Sequence, residues 1–211
     1  NPSLVGSEMC IRDRHSSTER FGVAVHDPES SSDISNVEVF DDGRGLSNTL
    51  ITRVSAMLPR ERWKNLNGLA VAIGPGGFTG TRLSVVMART LAEQLDCPLL
   101  GISSFALMAP RLHNHLPEEQ QGQPFWIARE LPRRGLVAGC YCLDGDDVNE
   151  LEEPHLLAKG RSVSPTVEAA EDVRADVWRL LELLRRGHLA GQAMPWSEVL
   201  PIYPTSPVGQ V

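Results

Sequence analysis

The chain has 211 residues, 41% of them hydrophobic and 22% charged, the make-up of an ordinary globular protein long enough for one domain or two small subdomains. Twenty basic residues against twenty-seven acidic ones leave a net charge of −7, which argues against a protein that grips nucleic acid through its own field. Without a run of about eighteen uncharged apolar residues, no membrane span is expected.

The first stretch, residues 1–14, reads NPSLVGSEMCIRDR. It lacks the basic start, the long apolar core and the small-residue cleavage site of a signal peptide. It resembles a foreign leader that recurs in assembled environmental sequences, and is expected to be an artefact standing outside the fold. Removing it leaves the charge unchanged, because Arg12 and Arg14 offset Glu8 and Asp13.

Beyond it, Phe21 to Val25 is apolar and β-branched. Asp27-Pro28 and Ser30 to Ser32 give a turn, and Val37, Val39 and Phe40 read as the return strand. Leu46, Leu50, Val54 and Leu58 recur every four residues, the mark of a helix face, which Pro59 stops. The continuous run from Leu69 to Ile73 predicts a strand buried on both sides. After a glycine-rich turn, Leu83, Val86, Met87, Leu91 and Leu95 predict a second helix closed by Pro98. Leu99 to Ile102 is a short strand, and Phe105 to Leu112 a third helix.

The polar stretch 113–124, HNHLPEEQQGQP, reads as a linker and a subdomain boundary. Phe125 to Ala128 and Leu136 to Leu143 read as strands, and Asp144 to Asp147 as a turn. A helix is expected over about Val167 to Arg186, stopped near Gly187, with an extended tail from Pro195. The domains are thus a leader at 1–14, a first subdomain at 15–112, a linker at 113–124, and a reduced second subdomain with its tail at 125–211. The fold class is α/β, with mixed sheets and helices on their faces. Cys10, Cys97, Cys140 and Cys142 have no C-x-x-C spacing and read as small buried hydrophobes in a reducing compartment.

The motif with chemical content is Ile73 to Arg82, I-G-P-G-G-F-T-G-T-R, leaving a buried strand and entering a helix. Three readings stand side by side. A phosphate-binding loop of the Walker type needs G-x-x-x-x-G-K-S/T, and the lysine is missing. A dinucleotide fingerprint, G-x-G-x-x-G, fits Gly74 and Gly76 but finds Thr79 at its third glycine. A tight strand–helix junction, with Thr79 or Thr81 as N-cap, needs nothing further.

The longer string LAVAIGPGGFTGTRLSVVMARTLAEQLDCPLLGISSFALMA resembles the signature of the TsaB family, also called YeaZ. Gly74, Pro75, Gly76, Phe78, Thr79, Gly80 and Arg82 match its glycine turn, and Pro98, Gly101, Ser103 and Ser104 match the end of that signature. Gly77 stands where serine is usual and Ser84 where glycine is usual. Ser16-Ser17-Thr18-Glu19 is similar to the family's opening D-T-S-T-E, and Leu200-Pro201-Ile202-Tyr203 to its P-x-Y ending. His15 replaces the family's aspartate, and a neutral imidazole serves magnesium poorly. Ile127-Ala128-Arg129-Glu130 keeps only Ala128 and Arg129 of the D-A-R that opens the second subdomain. Arg12, Asp13 and Arg14 fall where the first strand should be apolar, at a cost of several kcal/mol if buried unpaired.

The resemblance implies an actin-like ATPase (RNase H-like) fold with two subdomains and a cytoplasmic, non-catalytic scaffold. The family pairs with a TsaD-type paralogue that transfers a threonylcarbamoyl group to the adenosine beside the tRNA anticodon. A TsaE-type ATPase joins them, tRNA is met only through the complex, and self-association is open. No cofactor and no metal are implied.

The residues agree with a scaffold. The catalytic paralogue's H-x-x-x-H pair is absent, and so is the H-E-x-x-H of a metallopeptidase. His113 and His115 read as solvated. The alternative is a small nucleotide-binding ATPase or phosphotransferase using the glycine turn. The helices at about 46–58 and 81–95 are the interface candidates. Leu83, Met87 and Leu91 are assigned to the core, which moves the expected contact to Ser84, Ala88 and Arg89.

Overall fold

A computed structural model describes residues 7–13, 20–26, 36–42 and 45–204. Its strands are β1 (Ser7–Asp13), β2 (Phe21–His26), β3 (Asn36–Phe40), β4 (Leu66–Ala72), β5 (Leu99–Ile102), β6 (Phe125–Leu131), β7 (Gly135–Asp144), β8 (Asp147–Leu156) and β9 (Thr166–Glu168). Its α-helices are α1 (Leu46–Met57), α2 (Phe78–Leu95), α3 (Ser104–His113) and α4 (Val173–Leu189). They make two units. One takes the described residues up to Ile102 together with Asp172–Pro201, the other Ser103–Glu171 together with the described residues from Ile202.

The first unit is built on a five-stranded sheet in the order β3-β2-β1-β4-β5. β2 runs antiparallel to β1 and β3, while β1, β4 and β5 are parallel. Parallel strands need helices on both faces, so their sequences read as continuous apolar runs. On one face Met9, Ile11, Val23, Leu69 and Val71 meet Leu50 and Val54 of α1 and Val85, Ala88 and Ala92 of α2. The predicted stripe of α1 points inward as expected. Beyond its end the Trp63 indole donates to the Leu58 carbonyl at 2.8 Å. Ahead of α1, the Asp42 carboxylate accepts from Thr49 and from Arg53, which holds its carboxyl below the ordinary range.

α4 covers the opposite face. Val173, Val177, Leu180, Leu181 and Leu184 are buried, each worth about 1.5–3 kcal/mol relative to exposure. The sheet answers with small residues. A Cβ on Gly22 would stand 2.6 Å from Val173 Cγ1, and one on Gly68 would stand 3.3 Å from Leu184 Cδ1. The helix starts on a reciprocal cap: the Asp172 side chain accepts from Ala175 N–H, and Asp176 Oδ2 accepts from Asp172 N–H. Helix α4 begins six residues later than expected, after β9 has taken Thr166–Glu168.

The second unit has the sheet order β8-β7-β6-β9. Phe105, Met108, Ala109 and Leu112 of α3 pack on Phe125, Ile127, Val137 and Tyr141. Ser103 caps α3 by accepting from Ala106 N–H, and its hydroxyl lies 3.2 Å from Tyr141 Oη. On the other face Trp126, Ala128, Ala138, Cys140 and Leu157 cluster. Arg161 lies over the Trp126 ring and grips Glu152. Arg129 pairs with Glu171 at 2.6 Å, both largely buried.

Three expectations are corrected. Residues 7–13 do not stand outside the fold: they form the central strand of the first sheet, with Met9, Cys10 and Ile11 fully buried. Glu8 on that strand is also fully buried. Residues 113–124 are not a boundary. They join α3 to β6 inside the second unit, tied by Gln121 Nε2 to the Leu116 carbonyl and by Gly122 N–H to His113 Nε2. Nor does 125–211 form one subdomain, because the apolar face of α4 is buried on the first sheet. The expected turn at Asp27 to Ser32 and the motif residues His15 to Glu19 lie outside the described residues.

The close seating of α4 predicts two losses. Gly22→Val should cost about 1–3 kcal/mol by overpacking, and Leu180→Ala about 2–5 kcal/mol by leaving a cavity. Urea unfolding followed by tryptophan fluorescence measures both.

Candidate partner-binding surface

The glycine turn joins β4 to α2, and its glycines have separable reasons. Gly74 has φ 99°, which side-chain-bearing residues rarely adopt. A Cβ on Gly76 would lie 2.6 Å from Thr81 Oγ1, so the turn folds directly onto the first helical turn. Helix α2 starts at Phe78 with Gly77 as its N-cap, and no side chain caps it. The expectation of Thr79 or Thr81 as N-cap is therefore corrected: Thr79 is exposed in the first turn, and Thr81 is buried under Gly76. Pro75 is buried, Gly80 is half-buried and Arg82 is exposed. Among the described side chains of this turn, those of Thr79 and Arg82 are exposed.

Around α2 the three faces differ. Thr81, Ser84, Val85, Ala88 and Ala92 point into the sheet and are buried. Leu83, Met87 and Leu91 flank them, half-buried against the same core. Arg89 lies on the other flank, where its guanidinium donates to the Val199 carbonyl at 2.7 Å and sits 5.7 Å from the Trp196 ring. The expected contact face at Ser84, Ala88 and Arg89 is thus not a surface. Two of its residues are fully buried and the third is engaged by the chain's own segment near the short 3-10 helix Trp196–Glu198. That segment also accepts from Leu99 N–H through Met194 O at 2.9 Å, and Val199 lies against Gly101. Residues 195–201 are therefore packed onto the first unit.

What α2 does expose is Val86, at 53% of its full area, with Thr90 beyond it. On α1 the counterpart is Ile51, 38% exposed, with Thr52 and Ala56. Val86 and Ile51, with the half-buried Leu83 and Met87, are apolar side chains left on the outer faces of the two helices. Periodicity groups Val86 with the helix's apolar residues, and burial alone separates it from the core.

Elsewhere, the His113 ring packs 5.3 Å from that of Phe125 and takes a backbone hydrogen bond, rather than being solvated. Among the described residues, no three His, Cys, Asp or Glu side chains gather as metal ligands, and no helix is long and apolar enough to cross a membrane. Cys10, Cys97 and Cys140 are buried and free, and burial pushes the Cys97 thiol up to about 11.

Residues 52–128 match the family model described as TsaD, tRNA N6-adenosine threonylcarbamoyltransferase. The curated relatives are named TsaB, tRNA threonylcarbamoyladenosine biosynthesis protein. That of Buchnera aphidicola subsp. Schizaphis graminum is 34% identical over 71 residues, 30% of this chain and 34% of the relative. That of Bacillus subtilis strain 168 is 44% identical over 46 residues, 22% of this chain and 20% of the relative. The chain thus spans about a third of the first relative's length and a fifth of the second's. In the solved structure of YeaZ from Pseudomonas aeruginosa the likeness covers 93% of this chain and all of the other, at TM-score 0.68 and 20% identity. A second structure, described as an uncharacterized protein with similarity to peptidase YEAZ, gives TM-score 0.70 at 18% identity over 95% of this chain and all of the other. The fold is the actin-like, RNase H-like α/β fold of these proteins.

Ser84 yields a sharp prediction. Its hydroxyl is fully buried without a hydrogen-bond partner, and an orphaned hydroxyl costs about 1–3 kcal/mol. Ser84→Ala should raise stability by about 1 kcal/mol. Ala88→Arg, by contrast, should abolish folding of the first unit by forcing a long cation into the core. Thermal unfolding read by circular dichroism checks both.

Proposed function

We propose that this chain, a TsaB/YeaZ-type protein, is a cytoplasmic, non-catalytic subunit that binds and activates a TsaD-type threonylcarbamoyltransferase acting on the adenosine beside the tRNA anticodon. The observation that carries the reading is the exposed apolar pair Val86 and Ile51 on the two helices of the first unit, in a chain whose curated relatives carry the TsaB name. Isolated apolar side chains are common on surfaces. Here they sit on the two outer helices that follow and precede the glycine turn, whose geometry holds α2 tightly in place.

The mechanism is mechanical rather than chemical. The turn fixes the start of α2, the sheet fixes its inner face, and the outer face is left to bury Val86, Ile51 and the flanking Leu83 and Met87 against a partner. Burying that strip stabilises one conformation of the partner. A TsaE-type ATPase joins this pair, tRNA is held through the assembled complex rather than by this acidic chain, and a second copy of the chain competes for the same strip.

The experiment is co-expression of the full chain with the TsaD-type protein of the same genome, followed by size-exclusion chromatography and measurement of threonylcarbamoyladenosine in tRNA. A stoichiometric complex required for modification is expected. Separate elution, together with ATP hydrolysis by this chain alone, would replace the scaffold with an actin-fold ATPase. Val86→Glu and Ile51→Glu should each weaken the complex by about thirtyfold or more while leaving the thermal midpoint of the chain unchanged. Undiminished co-elution of both variants would move the contact to another face.

A further inference from the structure

Glu8 lies on the face of β1 that α4 covers, and it is fully buried. In register beside it are His26 on β2 and Gly68 on β4. Above it stand Arg185, with Nε 3.6 Å from Oε2, and His188, with Nδ1 3.7 Å from Oε1. The missing side chain at Gly68 gives His188 its place, since a Cβ there would stand 3.3 Å from the imidazole. Neither carboxyl oxygen makes a hydrogen bond, and Arg185 Nε and His188 Nδ1 are also without one. The guanidinium and the imidazole are thus too far from the carboxyl to replace its lost water. A buried charge in that position is held at a net cost.

We propose that folding of the first unit is coupled to proton uptake at Glu8: β1 packs beneath α4 with a neutral carboxyl, and ionisation of that group loosens the helix from the sheet. The groups facing it are Arg185 and His188 from α4, His26 from β2 and Cys10 from β1 itself, while β4 contributes the uncharged Gly68 and Ala70. Burial raises the Glu8 carboxyl from its ordinary 4.5 to about 7, against a smaller downward pull from Arg185. Between those values the folded chain keeps a proton that the unfolded chain has released. The contribution is therefore complete below pH 4.5, falls as pH rises through the window to about 7, and is lost above it. The gap corresponds to between two and three orders of magnitude in the folding equilibrium, about a hundredfold of it between pH 5 and pH 8.

The test is urea unfolding of the full chain at pH 5 and pH 8, followed by tryptophan fluorescence, for the wild type, Glu8→Gln and Glu8→Leu. The wild type should lose about a hundredfold more of its folding constant between the two pH values than Glu8→Gln does. Glu8→Leu should be the more stable chain at pH 8, with its advantage shrinking toward pH 5. Equal pH dependence in wild type and Glu8→Gln would overturn the proposal. A Glu8→Leu chain that does not fold at either pH would overturn it as well, because the site would then require the carboxyl for its structure.

Discussion

The seating of α4 on the first sheet is the contact on which the rest of that unit depends. β1, β4 and β5 are parallel, and a parallel sheet left bare on one face exposes apolar strands to water. α4 closes that face, and it can do so only because the strands beneath it carry Gly22, Ala24, Gly68 and Ala70 where larger side chains would hold the helix away. The apolar side chains of α4 then fill the space. Under the helix Glu8 places a carboxyl, with His26 beside it, in a site otherwise built for hydrocarbon.

The same logic of small residues governs the opposite face and explains why the contact expected there is a core. Helix α2 lies close to the sheet through Thr81, Ser84, Ala88 and Ala92. Bulky residues sit on its flank, because a helix pressed against a sheet has room for them only at the margin. Hydrophobicity alone ranks Leu83, Met87 and Leu91 as the core and Ser84 and Ala88 as the outside. Distance of approach reverses that order.

Much of the first unit is nonetheless legible in the sequence. The run ending at Ile73 announces a strand buried on both sides, the four-residue spacing of Leu50, Val54 and Leu58 marks the inner face of α1, and β5 is bounded by Pro98 and the serines after it. What stays hidden has physical reasons. β8 is an edge strand carrying Asn149, Glu150, Glu152 and Glu153, and an edge that must not pair with other chains is written in charges rather than in alternation. β1 escapes because its apolar centre, Met9 to Ile11, is framed by Glu8 and Arg12. The return of α4 to the first sheet cannot be seen, since nothing local in a helix says which distant sheet its stripe will meet. At the glycine turn, the sequence supplies the residues, and the backbone decides their purpose: φ at Gly74 and the contact between position 76 and Thr81 make it a junction first.

The first unit is also split along the chain, with the second unit inserted between Ile102 and Asp172. During synthesis the sheet of the first unit is made before its cover. At ribosomal speeds of about 5–20 residues per second, roughly five to twenty seconds separate the emergence of β5 from that of the last residues that pack on it. Through that interval the sheet face of Gly22, Ala24, Gly68 and Ala70 lacks its covering helix, while the inserted elements are contiguous and can pair as they emerge. The first unit is therefore completed only after the whole of the segment between Ile102 and Asp172 has been made.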